Sequence, residues 1–319
     1  MDAGASEHCA LELAGIRLSM TSAPFGSFVE EGAAVTKKVT IPYLRLKKQD
    51  GRPITMLTAY DYPSAQLVDE AGVDIILVGD SLAMTMLGHP DTVSVTMDEM
   101  LHHCRAVARG ARRSFLVGDM PFMSYQVSRE ESIRNAARFL KEAGMDAVKL
   151  EAIGDHVATV RAIVRAGISV MGHIGLTPQI ATQLGGFRVQ GKTVDAAREL
   201  VDDALRLQDA GCFALVLEAI PAPVAEQITQ QLSIPTIGIG AGSHCDGQVL
   251  VYHDILGLFA GFTPKFVKRY AELREPIVSA IRAYVEDVEA GAFPTDANTY
   301  SMEEEERQLF LYGRRDEEG

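Results

Sequence analysis

From Ile54 onward, short runs of consecutive apolar residues alternate with longer stretches whose apolar residues return every three or four positions. The runs are ITMLTAYD, DIILVGD, SFLVGDM, AVKLE, ISVMGHIG, FALVLEAI and IPTIGIGAG. Their hydrophobicity is nearly continuous, so both faces of each predicted strand are expected to be buried, as in parallel strands covered by helices. Between them lie amphipathic stretches such as SREESIRNAARFLKEAG and TVDAARELVDDALRLQDAG. In the second, Ala197, Leu200, Val201, Ala204, Leu205 and Leu207 fall close to one face at helical spacing. Gly72, Gly110, Gly144, Gly167 and Gly211 close such stretches, where a glycine just past a helix end takes the left-handed conformation that caps it.

Seven strands are distinct, and an eighth is expected within GQVLVYHDILGLF, residues 247–259. Strand-to-strand spacing of roughly 20–40 residues suits repeated βα units. The pattern predicts an α/β fold, a (β/α)8 TIM barrel in a single domain. An open dinucleotide-binding sheet fits less well, because no GxGxxG follows the first strand. The expected organisation is an N-terminal extension over 1–36, a catalytic barrel over 37–296 and an acidic C-terminal tail over 297–319.

Composition narrows the function classes. Of 319 residues, 47% are hydrophobic and 23% charged, the balance of a soluble globular protein with a sizeable core. A formal charge of -13 argues against a nucleic-acid partner, which would need a basic face. No window approaches the ~18 apolar residues of a membrane helix, so no membrane partner is expected. Cys9, Cys104, Cys212 and Cys245 are scattered without a CxxC, which suggests reduced thiols and a cytoplasmic location. The extension lacks both a signal-type apolar core and the Arg-rich make-up of an organelle presequence.

In such a barrel the active site forms at the carboxyl ends of the strands. The first run ends at Tyr60 and Asp61, the second at Asp80 and Ser81, and the third at Asp119. The fourth carries Lys149 and Glu151, the fifth His173 and the sixth Glu218. Any one aspartate after a strand is more often a cap for the next helix. The set is harder to explain that way. Carboxylates converging on one mouth repel one another and become harder to ionise unless a cation sits among them. Lys149 offsets part of that charge. A hard divalent ion offsets the rest, and oxygen donors with few histidines favour Mg²⁺ over Zn²⁺. The residues alone therefore point to a Mg²⁺-dependent enzyme acting on a small oxygen-rich substrate, such as a 2-oxo acid.

TAYDYPSA, VGDSLAM, GDMPF, VKLE, GHIGLTPQ, GGFRVQGK, IGIGAG followed by CDGQVLV, and PKFVKRY together resemble the ketopantoate hydroxymethyltransferase family, in family order over about residues 37–296. The resemblance implies transfer of a hydroxymethyl group from 5,10-methylenetetrahydrofolate to 3-methyl-2-oxobutanoate, giving ketopantoate on the route to pantothenate. It also implies a Mg²⁺-dependent TIM barrel that assembles as a homodecamer. Carried onto this chain, it makes Asp80 and Asp119 metal ligands, with Glu151 in the coordination shell. Ser81 would hold the substrate carboxylate and Lys149 its oxygens, with His173 nearby and Glu218 as the base. Two positions depart from the family pattern: Ala83 stands where many members have Gly, and Ala152-Ile153 where Gly-Gly is usual.

Other motifs carry blander expectations. His102 and His103 are adjacent on a predicted helix and point ~100° apart, so they are expected on a solvated or interface face and not around a metal. Gly238, Gly240 and Gly242 read as a close-packed turn leaving room for substrate or folate, since no P-loop Lys-Ser/Thr follows. GGFRVQGK, residues 185–192, suits either a mobile lid or a plain loop. Cys104 and Cys212 read as buried inert thiols. Two rival functions remain open at this level: a Mg²⁺-dependent carbon–carbon lyase or phosphonomutase-type barrel, and a non-catalytic metal-holding scaffold.

Overall fold

The computed structural model describes residues 37–152, 154, 156–181, 186 and 188–313. The N-terminal extension and Cys9 lie outside the described residues. Eight strands form the sheet: β1 Ile54–Thr58, β2 Ile75–Val78, β3 Phe115–Asp119, β4 Ala147–Glu151, β5 Val170–Gly175, β6 Ala214–Glu218, β7 Thr236–Ile239 and β8 Gly247–Leu250. Each pairs in parallel with its successor, and β8 returns to β1 to close a barrel. The expected eighth strand is thus present at the start of its predicted segment.

Every position of β2, β3, β4 and β5 is buried, which is why these runs lack polar alternation. Successive residues nonetheless serve different layers, because a strand sends neighbours to opposite faces. Ile76, Leu116, Val148 and Leu215 pack outward with helix residues such as Val107, Phe139, Ile163 and Leu207. Ile75, Phe115, Val117, Ala147, Met171 and Ile237 fill the inside. The helix Ile41–Gln49 closes the barrel at the strands' N-terminal end, with Val39 and Leu44 joining that inner cluster.

The same end carries a repeated polar device. Asp74, Asp146 and Asp246, each just before an even-numbered strand, accept hydrogen bonds from the amides of Thr55, Leu116 and Thr236 at 2.9, 2.8 and 2.8 Å. Lys47, Lys38 and Lys48 answer those aspartates at 2.6, 2.8 and 2.7 Å.

Helix ends follow the glycine pattern with one correction. Gly72, Gly144, Gly167 and Gly211 have φ between 70° and 102°. Gly110 instead is the last residue of the helix Met97–Gly110. A Cβ there would lie 2.5 Å from the Tyr62 carbonyl oxygen and 2.9 Å from Ala65 Cβ, so this glycine permits a close helix crossing. The first strand also stops earlier than the apolar run suggested. Asp61 lies beyond it and caps the helix Tyr62–Glu70 in a reciprocal box with Ser64, so the structural role wins for that aspartate.

After β8 the chain behaves differently. The helices Arg274–Glu289 and Glu304–Tyr312 bury none of their residues. On the first, Ile277, Ile281, Tyr284, Val285 and Val288 form an exposed apolar stripe at helical spacing.

Candidate active site

The strand register assembles the mouth. Asp119 is opposite Lys149, Glu151 opposite His173, and Gly175 opposite Glu218. Lys149 and Glu151 are two apart on β4 and so share a face. Asp80 lies two residues beyond β2, and Ser81 precedes the short helix Leu82–Thr85. All seven sequence-predicted residues line one cavity of about 1010 Å³ at the strands' C-terminal end.

Charge is concentrated at its floor. Asp80, Asp119, Lys149, Glu151 and His173 are all buried. Lys149 Nζ donates to both Asp119 oxygens at 2.8 and 2.7 Å, and the Asp80 amide donates to Asp119 Oδ2 at 3.2 Å. Burial pushes the Asp119 carboxyl up; Lys149 opposes this only in part, and Asp80 adds to it. Burial likewise pushes Glu151 well above the usual carboxylate range, with Asp80 reinforcing it. Desolvation disfavours the Lys149 cation, but Asp119, Asp80 and Glu151 outweigh it and hold the ammonium charged. His173 is pushed down by burial and then by Lys149, so its imidazole is neutral near pH 7.

His173 stands between two acids. Its Nε2 is 3.2 Å from Glu218 Oε2 and its Nδ1 3.9 Å from Glu151 Oε1. Neither ring nitrogen makes an aligned hydrogen bond among the described residues. The Glu218 side chain is 17% exposed, against 5% for Glu151 and 1% for Asp119. Glu218 is therefore the acid best placed to meet something entering from the cavity.

Gln179 and Tyr125, to which the sequence reading gave no role, and Tyr60, which it placed at the end of the first run, hold this arrangement. Gln179 follows β5, and its Nε2 donates to Asp80 Oδ2 and to the Met120 carbonyl, both at 3.0 Å. Its amide donates to both Glu151 oxygens at 3.3 and 3.2 Å. Tyr125 donates to Gln179 Oε1 at 2.6 Å. Tyr60, fully enclosed with its phenol pushed up to about 12 by burial, places its hydroxyl 2.8 Å from Ser81 Oγ. Only the presence of Gln179 within GHIGLTPQ hinted at its role; its partners lie on β4 and in the segments that follow β2 and β3.

The donor set fits a hard divalent ion by its chemistry. It offers carboxylate oxygens on adjacent strands, in a buried site whose negative charge exceeds what Lys149 supplies. Among the described residues, no three His, Cys, Asp or Glu side chains converge into a closed cage.

The remaining motifs resolve simply. His102 is exposed, while His103 Nδ1 lies 2.6 Å from the Tyr60 carbonyl, so the pair shares no ligand. Cys104 and Cys212 are buried, and burial raises both thiols; with Cys245 they are free. A Cβ on Gly238, Gly240 or Gly242 would meet Cys245 Sγ, the Phe266 ring or Ala222 within 3 Å. The turn is close-packed, as expected, and Gly240 and Gly242 also line the cavity. Residues 185 and 187 of the candidate lid region lie outside the described residues, and so does Ile153.

A closed parallel barrel with acids, a lysine and a neutral histidine at its C-terminal mouth defines a (β/α)8-barrel enzyme. Solved structures agree on the fold. Phosphonopyruvate hydrolase in complex with oxalate and Mg²⁺ matches with a TM-score of 0.53 at 14% identity, covering 86% of this chain and 98% of that one. A 2,3-dimethylmalate lyase of the PEP mutase/isocitrate lyase superfamily matches with a TM-score of 0.51 at 17% identity, covering 85% and 93%. The particular family is set by sequence: the chain belongs to the ketopantoate hydroxymethyltransferase family, whose model matches residues 38–296. The 3-methyl-2-oxobutanoate hydroxymethyltransferase of Oleidesulfovibrio alaskensis is 58% identical over 275 residues, 86% of this chain and 95% of that protein. The enzyme of the same name from Heliobacterium modesticaldum is 55% identical over 276 residues, 86% of this chain and all of that protein. The lyase and mutase barrels share the architecture; the family match separates this chain from them.

Proposed function

We propose that this chain transfers a hydroxymethyl group from 5,10-methylenetetrahydrofolate to 3-methyl-2-oxobutanoate, forming ketopantoate, with Mg²⁺ at Asp80 and Asp119 and Glu151 beside them. The observation that carries the reading is the single mouth shared by these acids, Lys149, His173 and Glu218, in a chain of this family. When bound, the ion supplies positive charge that polarises the 2-oxo group. Ser81, held by Tyr60, receives the substrate carboxylate, and Lys149 adds a fixed positive centre for the oxygens. Glu218 removes the C3 proton, and the C3–H electron pair becomes an enolate. Neutral His173, with its Nε2 3.2 Å from Glu218 Oε2, stands against that carboxylate and limits where it can sit beside C3. The enolate carbon then bonds to the folate-borne methylene. The two bonds from that methylene to the folate nitrogens break, water supplies the new hydroxyl, and water's other hydrogen together with the proton taken by Glu218 completes the two N–H groups of the departing tetrahydrofolate.

The test is exchange of the C3 proton with deuterated solvent, followed by NMR. Glu218→Gln should slow exchange by about 10²–10⁴-fold, the range of a positioned general base, while oxo-acid binding stays within a few-fold. Exchange at the normal rate in that variant would remove Glu218 from the role. A scaffold reading predicts binding of Mg²⁺ and oxo acid with no folate-dependent product in the unmodified protein.

The reading extends to assembly and location. The resemblance implies a homodecamer, and the exposed stripe on Arg274–Glu289 suits burial against another copy. The described cysteines are free, as a cytoplasmic setting would keep them. No helix of the described residues is long and apolar enough to cross a membrane.

A further inference from the structure

The cavity is far larger than its floor requires. A five-carbon oxo acid fills a small fraction of about 1010 Å³, whereas pockets of roughly 300–1,000 Å³ hold drug-sized ligands. The surplus lies against a wall that β8 leads into. Phe259, Phe262, Pro264, Lys265 and Phe266 line it, and Arg188 faces the same cavity after β5.

We propose that this outer half is the subsite for the p-aminobenzoyl-glutamate arm of the folate co-substrate, with Phe262 as stacking surface and Arg188 and Lys265 as carboxylate receptors. The proposal rests on the transfer reading above and deepens it.

The wall is built into the fold. The Phe266 ring occupies the space beside Gly240, where a Cβ would come within 2.7 Å of it. Arg269 ties the segment together, donating to Thr263 Oγ1 at 2.7 Å and to Glu272 at 3.0 Å. The Tyr270 amide donates to the Ile255 carbonyl at 2.8 Å, and that of Leu273 to Leu256 at 2.9 Å. On this anchored segment Phe262 is 84% exposed. A large aromatic held open at a cavity rim is a surface for another ring.

Charge sets the direction of the ligand. The floor holds Asp80, Asp119, Glu151 and Glu218, while the rim offers Arg188 and Lys265. Neither cation has a carboxylate partner among the described residues, although the neighbouring Arg269 pairs with Glu272. The acid on this wall, Asp254, is pushed up by burial, and the Arg269 charge opposes this only in part. A ligand with a reactive methylene at one end and glutamate carboxylates at the other is driven to enter pterin-first, because the rim cations attract its carboxylates.

The experiment measures kinetic constants for both substrates in Lys265→Ala, Arg188→Ala, their double variant and Phe262→Ala, using 5,10-methylenetetrahydrofolate as its mono- and triglutamate. These residues are exposed, so the variants should fold. Each single cation loss should raise the folate KM by about 5-fold, as exposed ion pairs allow, and Phe262→Ala by about 3- to 10-fold. The oxo-acid KM should stay within 2-fold. The unmodified enzyme should prefer the triglutamate at low salt, and the double variant should lose both that preference and the salt dependence. Lys265→Arg should restore it. A folate KM unchanged in the double variant, or raised equally with the oxo-acid KM, overturns the subsite while the transfer reading stands. Absence of folate-dependent product in the unmodified enzyme overturns the transfer reading, and the subsite with it.

Discussion

At the N-terminal end of the barrel, Asp74 accepts from the Thr55 amide and hydroxyl and pairs with Lys47 and Arg113. At the opposite end, Asp119 has one lysine and a second carboxylate beside it. Both aspartates are buried, yet they are shifted in opposite directions. Burial works against the Asp74 anion, but Lys47 and the Thr55 groups outweigh it and the carboxyl falls below its ordinary value. For Asp119 burial prevails and the carboxyl rises. The base of the barrel spends its carboxylates on holding strands and the closing helix together. The mouth keeps negative charge that its own residues do not neutralise, which is what draws in a cation.

The sharpest way to break that contrast is to remove one mouth carboxylate without changing shape. Asp80→Asn keeps an acceptor for Gln179 Nε2 while deleting a charge. Ketopantoate formation should fall about 10³-fold or more, at or beyond the upper range for losing one electrostatic group at a reacting centre. Thermal unfolding should occur at the same temperature or higher, because one repulsive partner is gone. Normal turnover with a lowered unfolding temperature would place Asp80 among the structural acids of the base.

A smaller effect should follow from loosening the frame around the charge. Gln179 reaches Asp80, the Met120 carbonyl and Glu151 from a single position. Gln179→Ala should weaken Mg²⁺ binding about 10–100-fold, the range for losing an outer partner of a metal ligand. Calorimetric titration of the free protein with Mg²⁺ reads this directly, and turnover should recover at saturating ion. Unchanged affinity would mean that the acids hold their positions without Gln179.

The two ends were not equally legible beforehand. The mouth showed in the sequence because apolar runs stop on acids, and parallel strands place their carboxyl ends together; Asp80, Asp119, Glu151 and Glu218 needed nothing else to be gathered. The base stayed hidden. Asp74, Asp146 and Asp246 look like ordinary loop residues, and their lysines come from the helix Ile41–Gln49 and the segment just before it, about which strand periodicity is silent. Asp61 shows the same limit from the other side: capping a helix and serving a site leave one sequence trace, and only the Ser64 contact decided it. Gly110 and Gln179 were misjudged or missed for one reason. Their partners lie on other elements, and barrel closure sets those distances.

The smallest effect tests the base by pH. Asp69 and Asp74 both lie below the ordinary aspartate value of 3.8 in the folded chain, whereas an unfolded aspartate titrates near ~3.9. A depressed folded value means the stabilisation is complete above the unfolded pKa and is lost as pH falls through the folded one. Asp74→Asn should therefore cost about 1.5 kcal/mol at pH 7, the lower end for a hydrogen bond to a charged group, since the amide oxygen still accepts from Thr55. Below pH 3.8 the gap should close, because the native Asp74 is then losing its charge as well. Urea midpoints at pH 7, 5, 4 and 3 would trace it. A gap independent of pH would mean that shape and hydrogen bonding, not charge, hold this corner of the barrel.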